Sequence, residues 1–594
     1  MDLAATSADQ LLRTHKRLRR ELLATPGLQP LRLAILGGST TNELAALLEL
    51  MLLSRGFAPQ IYQSEYNRYY EDAVLDPSAL QAFQPELVYL HTHAHNLQHL
   101  PPASATPQQT ESMVHAELER FQAIWEGLQA SVGCQIVQNN FDPPQYALLG
   151  NYDAVAAGGH TQFIHQLNLR FAEAARADPR LLVQDLHSIA STVGLRHWYD
   201  PGRWFSYKIV TTPEGSLAIA RSLAAMIDAM RGRSRKCLIL DLDNTLWGGV
   251  IGDDGLNGLQ LGTETALAEA HTAFQRYCLA LRERGVVLAV CSKNDDAIAR
   301  SGFSHPDSVL RLEHFAAFKA NWEPKHENIR AIAAELNLGL DSFVFVDDNP
   351  AERAIVAAQL PMVAVPEVGA EVALYPAILN QHRYFETISL SAEDMARAGT
   401  YAANAQRESA VSRFASYAEY LDSLAMTAEI APFHPLYLER ITQLINKTNQ
   451  FNLTTRRYTY SEVEQAAGSP QHITLYGRLT DSFGDNGLIS VILAHRLDAE
   501  TVEIDLWLMS CRVLKRTMEH AMLDALAARA RATGAQRLLG HYLPTAKNGL
   551  VASLLQDLGF SPLESTAERS SWTLDLTTYQ PQNRHIRITE ENHG

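Results

Sequence analysis

Cysteine is scarce in this chain. Five cysteines are scattered over 594 residues without a CxxC pair, which excludes a disulfide framework and a thiolate zinc site and suits a reducing compartment. Long apolar runs are missing too: nothing approaches the roughly 20 apolar residues that span a bilayer. The nearest, "LAALLELMLL", is interrupted by Glu49 and fits a buried helix. The N-terminus lacks the basic, apolar, small-residue order of a signal peptide, so a cytoplasmic protein without a membrane partner is expected. Positive charge is in deficit. A formal charge of −16 argues against general nucleic-acid binding. The basic run Arg13 to Arg20 alternates with Leu11, Leu12, Leu18, Leu22 and Leu23 at helical spacing, the mark of a solvated helix face. Repeats and low-complexity tracts are absent.

What is present is a chain too long for one core, with ordinary globular composition. "LRLAILGGST", "PELVYLHTH" and "GCQIVQNN" read as buried strands alternating with helices, which predicts a doubly wound parallel sheet over residues 1–230. A second such pattern, "CLILDLD", "GVVLAVCSKN" and "DSFVFVDDNP", predicts another over 231–380. Residues 381–425 read as a helical connector. From 426 to 580 the strands "QHITLYGRLTD", "GLISVILAHRL" and "TVEIDLWLMS" precede helices, giving an α+β domain with an antiparallel sheet. The expected fold class is therefore α/β: two doubly wound parallel-sheet domains followed by an α+β domain.

Strands of a doubly wound sheet bring their carboxyl ends around one crevice. Three strands of the middle segment end there in polar residues: Asp241 and Asp243 with Thr245 in the following turn, Ser292 with Lys293, and Asp347 with Asp348. Lys325 precedes a helix between the last two. Carboxylates offer hard oxygens to Mg2+, and a carboxylate attacks a phosphate only once metal and lysine neutralise its charge. The bland alternative, polar strand ends facing solvent, explains one such end more readily than three in this order.

That order resembles the four motifs of the haloacid dehalogenase (HAD) superfamily. The resemblance implies Asp241 as the nucleophile that becomes an aspartyl phosphate. It implies Asp243 as general acid/base and backbone metal ligand, and Thr245, Ser292, Lys293 and Lys325 as phosphate contacts. Mg2+ would be held by Asp241, Asp243, Asp347 and Asp348, with the sequence leaving open which of the last two touches it. No cap domain of any size fits between Thr245 and Ser292.

"LDLDNTLWGGVIGDDG", "SKND", "NWEPKHENI" and "FVDDNPAER", with the later "RITQLINKTNQFNLTTRRYT", "DSFGDNGLI" and "LWLMSCRVLKR", are similar to the FkbH-like proteins of polyketide pathways. The resemblance covers the middle and C-terminal domains, and the N-terminal one more loosely. It implies a glyceryl transferase/phosphatase, which takes D-1,3-bisphosphoglycerate, removes phosphate and passes the glyceryl unit to the phosphopantetheine thiol of an acyl carrier protein. Two readings compete with it: a HAD phosphatase of a small phosphorylated metabolite without acyl transfer, and a non-catalytic docking protein of a synthase.

An acyl phosphate is activated towards a thiolate, so a protein thiol is sought. Cys134, Cys237 and Cys278 lie in apolar surroundings and read as structural. Cys511 falls where a strand meets a helix, and Arg512, Lys515, Arg516 and the helix N-terminus are expected to raise its thiolate fraction. Cys291 adjoins Ser292, but strand alternation turns it away from the groove, so Cys511 is preferred. Direct attack by the carrier thiol stays open. The strand–"RVLKRT"–helix junction resembles the pyrophosphate loop of the N-acetyltransferase (GNAT) fold, with Lys515 and Thr517 standing where small residues are usual. Arg512, Lys515 and Arg516, with Asn449 and Asn452 of "NKTNQFNLTT", are therefore candidate acyl or pantetheine contacts. A hydrogen-bonded turn explains the asparagines nearly as well.

In the N-terminal domain, "LGGST" loosely resembles the SGNH-hydrolase nucleophile turn at Ser39, with "HTHAHN" at the place of that family's Gly-x-Asn segment. "YDPGRW" has Asp200 but no histidine at the spacing a base requires. A non-catalytic docking or scaffolding domain is expected. His91, His93 and His95 share a face of an extended segment, and a metal site there lacks a carboxylate placed by sequence.

Overall fold

A computed structural model describes residues 3, 6–401, 414, 416–545 and 547–589. The chain forms two compact units, Met1–Asp228 with Thr459–Ser461, and Ala229–Tyr458 with Glu462–Gly594.

In the first unit five parallel strands, β1 (Gln29–Gly37), β2 (Phe57–Gln63), β3 (Leu87–His91), β4 (Gln135–Asn139) and β5 (Leu181–Gln184), stand in the order β2-β1-β3-β4-β5. The buried run Leu33–Leu36 is apolar on both faces because helices cover both sides. The helices Pro107–Ser131 and His160–Ala177 supply Phe121, Trp125 and Phe171, the first two packing edge-to-face against Phe171.

The second unit holds two sheets. Four parallel strands, β6 (Cys237–Leu240), β7 (Val287–Ser292), β8 (Phe315–Ala320) and β9 (Phe343–Val346), are ordered β8-β7-β6-β9. Their side chains alternate between two cores. Leu238, Leu240, Leu288, Val290, Val344 and Val346 face one layer; Cys237, Ile239, Val287, Ala289, Cys291 and Phe345 face the other. This period of two explains why such strands read as unbroken apolar runs.

The second sheet of this unit comprises β10 (Thr427–Ala431), β11 (His472–Asp481), β12 (Gly484–Arg496), β13 (Thr501–Met509), β14 (Arg537–Tyr542), β15 (Ser561–Ser565), β16 (Ser570–Asp575) and β17 (Arg587–Thr589). Its order is β15-β16-β14-β13-β12-β11-β10-β17. The antiparallel sheet expected from sequence carries two parallel pairs as well: β13 with β14, and β10 with β17. The helix Met518–Ala532 between β13 and β14 is the crossover that a parallel pair requires. Ladder pairing of β13 with β14 stops at Ile504 and Gly540, and the two strands then diverge. The gap is filled by the chain itself. Leu453 N donates to Trp507 O at 3.1 Å, Leu543 N to Leu453 O at 2.9 Å, and Met509 N to Phe451 O at 3.0 Å. The connector expected over 381–425 shows the short helices Ala392–Met395 and Tyr417–Ser423, and its residues 402–413 lie outside the described residues.

Gly285, which turns the helix Ala266–Glu283 into β7, has φ +95°, and a Cβ there would sit 1.8 Å from Asp394 O. Gly534 has φ +88° with open space around it. Gly285→Ala should therefore cost roughly 3 kcal/mol or more, and Gly534→Ala about 1 kcal/mol from backbone strain alone. Urea unfolding midpoints of the two variants check the difference; equal losses would remove the clash as its cause.

Candidate active site

Asp241 extends β6 by one residue, its N–H donating to Val346 O at 3.0 Å. The chain then turns back on itself, with Thr245 N and Leu246 N both donating to Leu242 O at 3.1 and 2.8 Å. The turn passes through the left-handed conformation at Asn244 (φ 54°), which asparagine tolerates, and the Asn244 carboxamide oxygen accepts from Gly249 N at 3.0 Å. This geometry aims Asp241 at the carboxyl edge of the sheet and sets Asp243 behind it.

At that edge the ammonium of Lys325, first residue of the helix Lys325–Leu336, bridges Asp241 Oδ2 at 3.0 Å and Asp347 Oδ2 at 2.5 Å. Burial alone would favour the neutral amine, but the two carboxylates raise its pKa above the ordinary lysine value. Asp347 also accepts from Asn349 N at 2.9 Å, and burial, then the Asp241 charge, pushes it up to about 6. Asp348 is raised by the same two causes, and its N–H donates to Thr245 Oγ1 at 3.1 Å. Ser292, the last residue of β7, is buried at the same edge.

Asp243 is held differently. Its Oδ1 accepts from Trp247 Nε1 at 2.9 Å and Ile251 N at 3.1 Å, and its Oδ2 from Asn294 Nδ2 at 3.0 Å. Burial first, and the neighbouring Asp241 charge as well, raise its pKa. A carboxyl that is oriented and easier to protonate than usual suits proton transfer.

Asp241, Asp347 and Asp348 each offer an oxygen within 4.8 Å of the others, and Asp241 Oδ1 is buried with no hydrogen-bond partner. Three crowded carboxylates facing one ammonium, with an unspent oxygen among them, fit a hard divalent cation such as Mg2+. The Asp243 carboxylate stands outside this group, its oxygens committed to other donors.

The remaining expected residues separate. Lys293 turns its ammonium to Glu352 at 2.6 Å instead of facing the carboxylates. Two contributors went unnamed in the sequence reading: Asn294, and Arg353, whose guanidinium donates to Asp347 O at 2.8 Å and Asp348 O at 2.7 Å. Both lie in the "SKND" and "FVDDNPAER" stretches, but nothing in their spacing told which partner each would reach.

The cysteines also separate. Cys134, Cys237, Cys278 and Cys291 are buried, and burial raises all four thiols, Cys134 to about 12. Cys291 Sγ is turned into the core, 3.6 Å from Lys325 O. Cys511 is half-exposed in a short turn after β13, with Tyr401 Oη 3.5 Å away, and it lines a cavity of about 480 Å³. The cations expected beside it are placed elsewhere. Arg516 is buried on Asp481 at 2.6 Å, Lys515 is exposed, and the Arg512 side chain lies outside the described residues. The helix expected at Cys511 begins only at Met518. Asn449 lines the cavity, whereas Asn452 is buried in a turn, donating to Thr448 O and accepting from Thr455 N.

In the first unit, Ser39 is buried. His91 and His93 are buried with their Nε2 atoms 3.0 Å apart, and burial lowers both pKa values, His93 to about 3. His95 stacks on Trp204, and Asp200 caps the helix Pro201–Tyr207. Among the described residues, the group that could hold a metal is the aspartate cluster.

Residues 32–220 match the model of the FkbH N-terminal domain. The chain is similar to the N-terminal part of BF1531 from Bacteroides fragilis, a structure containing a phosphatase domain complexed with Mg. The two are 31% identical over 63% of this chain and 99% of that one, with a TM-score of 0.59. The GNAT domain of S. lividans PAT is 16% identical over 25% of this chain and 89% of that one, with a TM-score of 0.21. An acetyltransferase from Thermus thermophilus is 15% identical over 26% and 99%, also with a TM-score of 0.21. No curated protein matches.

Because a proton competes with metal for Asp347, Mg2+ affinity measured by isothermal titration calorimetry should be flat above pH 7 or so and fall as the pH drops below about 6. Asp347→Asn should weaken binding at least about tenfold at neutral pH. A pH-independent affinity, or an unaffected variant, would remove Asp347 from the metal site.

Proposed function

The chain belongs to the FkbH-like family, whose phosphatase domain is of HAD type, and from that premise we propose that it is a glyceryl transferase/phosphatase. In this reading it takes D-1,3-bisphosphoglycerate, loads the glyceryl unit onto the phosphopantetheine thiol of an acyl carrier protein in polyketide-type biosynthesis, and removes the remaining phosphate. The observation that carries the phosphatase half is the buried Lys325 bridge between Asp241 and Asp347 beside Asp348.

An acyl phosphate and a phosphate ester demand different chemistry. Cys511 Sγ attacks the C1 carbonyl as thiolate; the C–S bond forms and phosphate leaves with the electron pair of the broken C–O bond. The C3 ester is far less reactive. There Asp241 attacks phosphorus, the P–O bond to carbon breaks, and Asp243 protonates the departing oxygen. Asp243 then takes a proton from the water that hydrolyses the aspartyl phosphate. Bound Mg2+ would be held by Asp241, Asp347 and Asp348 and would neutralise phosphate charge. Lys325 holds the phosphate oxygens, Thr245 keeps Asp348 in place, and Asn294 orients Asp243.

Intact-protein mass spectrometry tests this after incubation with 1,3-bisphosphoglycerate, Mg2+ and carrier protein. A glyceryl increment on the carrier is expected, abolished by Cys511→Ala. Asp241→Asn should leave the carrier with a phosphoglyceryl increment or none. Free phosphate without any acyl adduct would sink the transferase half, and undiminished phosphate release by Asp241→Asn would sink the phosphatase half. Asn294→Ala should slow phosphate release by about tenfold or more, since a freed Asp243 loses its alignment.

A further inference from the structure

The cavity beside Cys511 lies at the other end of the parallel sheet from Asp241. Lys236 immediately precedes β6, Val286 precedes β7 and Ser342 precedes β9, and all three line it. Asp241 follows the same β6. Five residue steps of extended chain lead from Lys236 to Asp241, about 16 Å along the strand. A three-carbon phosphorylated acid held at Cys511 cannot also touch Asp241.

The cavity wall runs against the charge of the whole chain. In a protein of formal charge −16, eight basic and only three acidic side chains line this space. Its volume of about 480 Å³ suits a small ligand. Three of the cations, Arg397, Arg440 and Lys447, gather on Asp394, and Glu393 lies 3.9 Å from Arg440, so three positive side chains face two carboxylates in that corner. The half-buried Lys236 ammonium lies close enough to Cys511, and to Asp341, to feel their charges. Burial lowers the pKa of both Lys236 and Lys447, because these ammonium groups have lost the solvation they would have in water.

The geometry points to a second phosphate-binding site, separate from the aspartate site, in which Lys236 and Lys447 hold the phosphate of a phosphorylated acyl donor beside Cys511. This rests on the reading of Cys511 as the acyl-accepting thiol and adds where its donor is recognised. It also separates the two reactions in space. Acyl capture takes place at the amino edge of the sheet and ester hydrolysis at the carboxyl edge, so the acyl group must leave Cys511 before Asp241 can reach its phosphate. The same chemistry could serve the phosphate of the carrier's pantetheine arm, and the test separates the two sources.

Full-length protein carrying Asp241→Asn, in Mg2+-free buffer, keeps the carboxyl edge silent. Alkylation of Cys511 by iodoacetamide, read by peptide mass spectrometry, is followed with and without inorganic phosphate, 3-phosphoglycerate or phosphopantetheine. Saturating 3-phosphoglycerate should slow alkylation about tenfold, with inorganic phosphate weaker. Lys236→Met and Lys447→Met should each remove most of that protection, and Lys236→Arg should retain it; circular dichroism separates a lost site from a lost fold. Stronger protection by phosphopantetheine than by 3-phosphoglycerate would overturn the assignment to the acyl donor. Alkylation indifferent to all three anions, or protection that survives in a folded Lys236→Met, Lys447→Met double variant, would overturn the site itself. Protection without glyceryl loading of the carrier leaves this site standing and fails the proposed function; loading without protection does the reverse.

Discussion

The carboxyl edge of the four-stranded sheet depends on one ammonium group. Lys325 Nζ sits almost without solvent between Asp241 and Asp347, with Asp348 close by. Three carboxylates within a few ångströms, two of them buried, repel one another, and removing the cation from such a cluster leaves uncompensated buried charge. The lysine also ties the elements together. It begins the helix after β8, its carbonyl meets Cys291 of β7, and its ammonium joins the residues that end β6 and β9. A carboxylate held against a cation in this way is kept pointed at one place, which is what a nucleophile towards phosphorus needs.

The parallel sheet also has a second end. Strands that point the same way give one edge of strand starts and one edge of strand ends, and this chain carries different chemistry at each. Carboxylates and a buried lysine collect at the ends; Cys511 and a ring of basic side chains collect at the starts. The adjoining eight-stranded sheet delivers Cys511 to that second edge through the turn after β13. Where β13 and β14 diverge, the segment from Phe451 to Leu453 closes the gap with backbone hydrogen bonds. Cys511 itself lines the cavity at the strand starts.

How far the site was legible in the sequence varies residue by residue. Asp241, Asp347 and Lys325 follow from local pattern, because each stands at a strand end or helix start that apolar runs and breakers mark clearly. Lys293 illustrates the limit. Its place at a strand end is local, but its partner is Glu352, 59 residues on, and only packing brings that carboxylate near. Arg516 is the same case with Asp481, 35 residues earlier. The asparagines of "NKTNQFNLTT" looked like a polar lining, and Asn452 instead completes a buried turn within a segment whose backbone bridges two diverging strands.

By itself, the sequence determined the alternation of strands and helices, the polar strand ends and the order of the aspartate, serine and lysine motifs. These are local properties: side chains alternate every second residue along a strand, and turns declare themselves by residue type. Tertiary structure alone decided which cations surround Cys511, which carboxylates cluster, and that thiol and aspartate stand at opposite edges of one sheet. Those outcomes rest on contacts between residues far apart in the chain, where charge meets charge only after the backbone has closed, and no local pattern carries them.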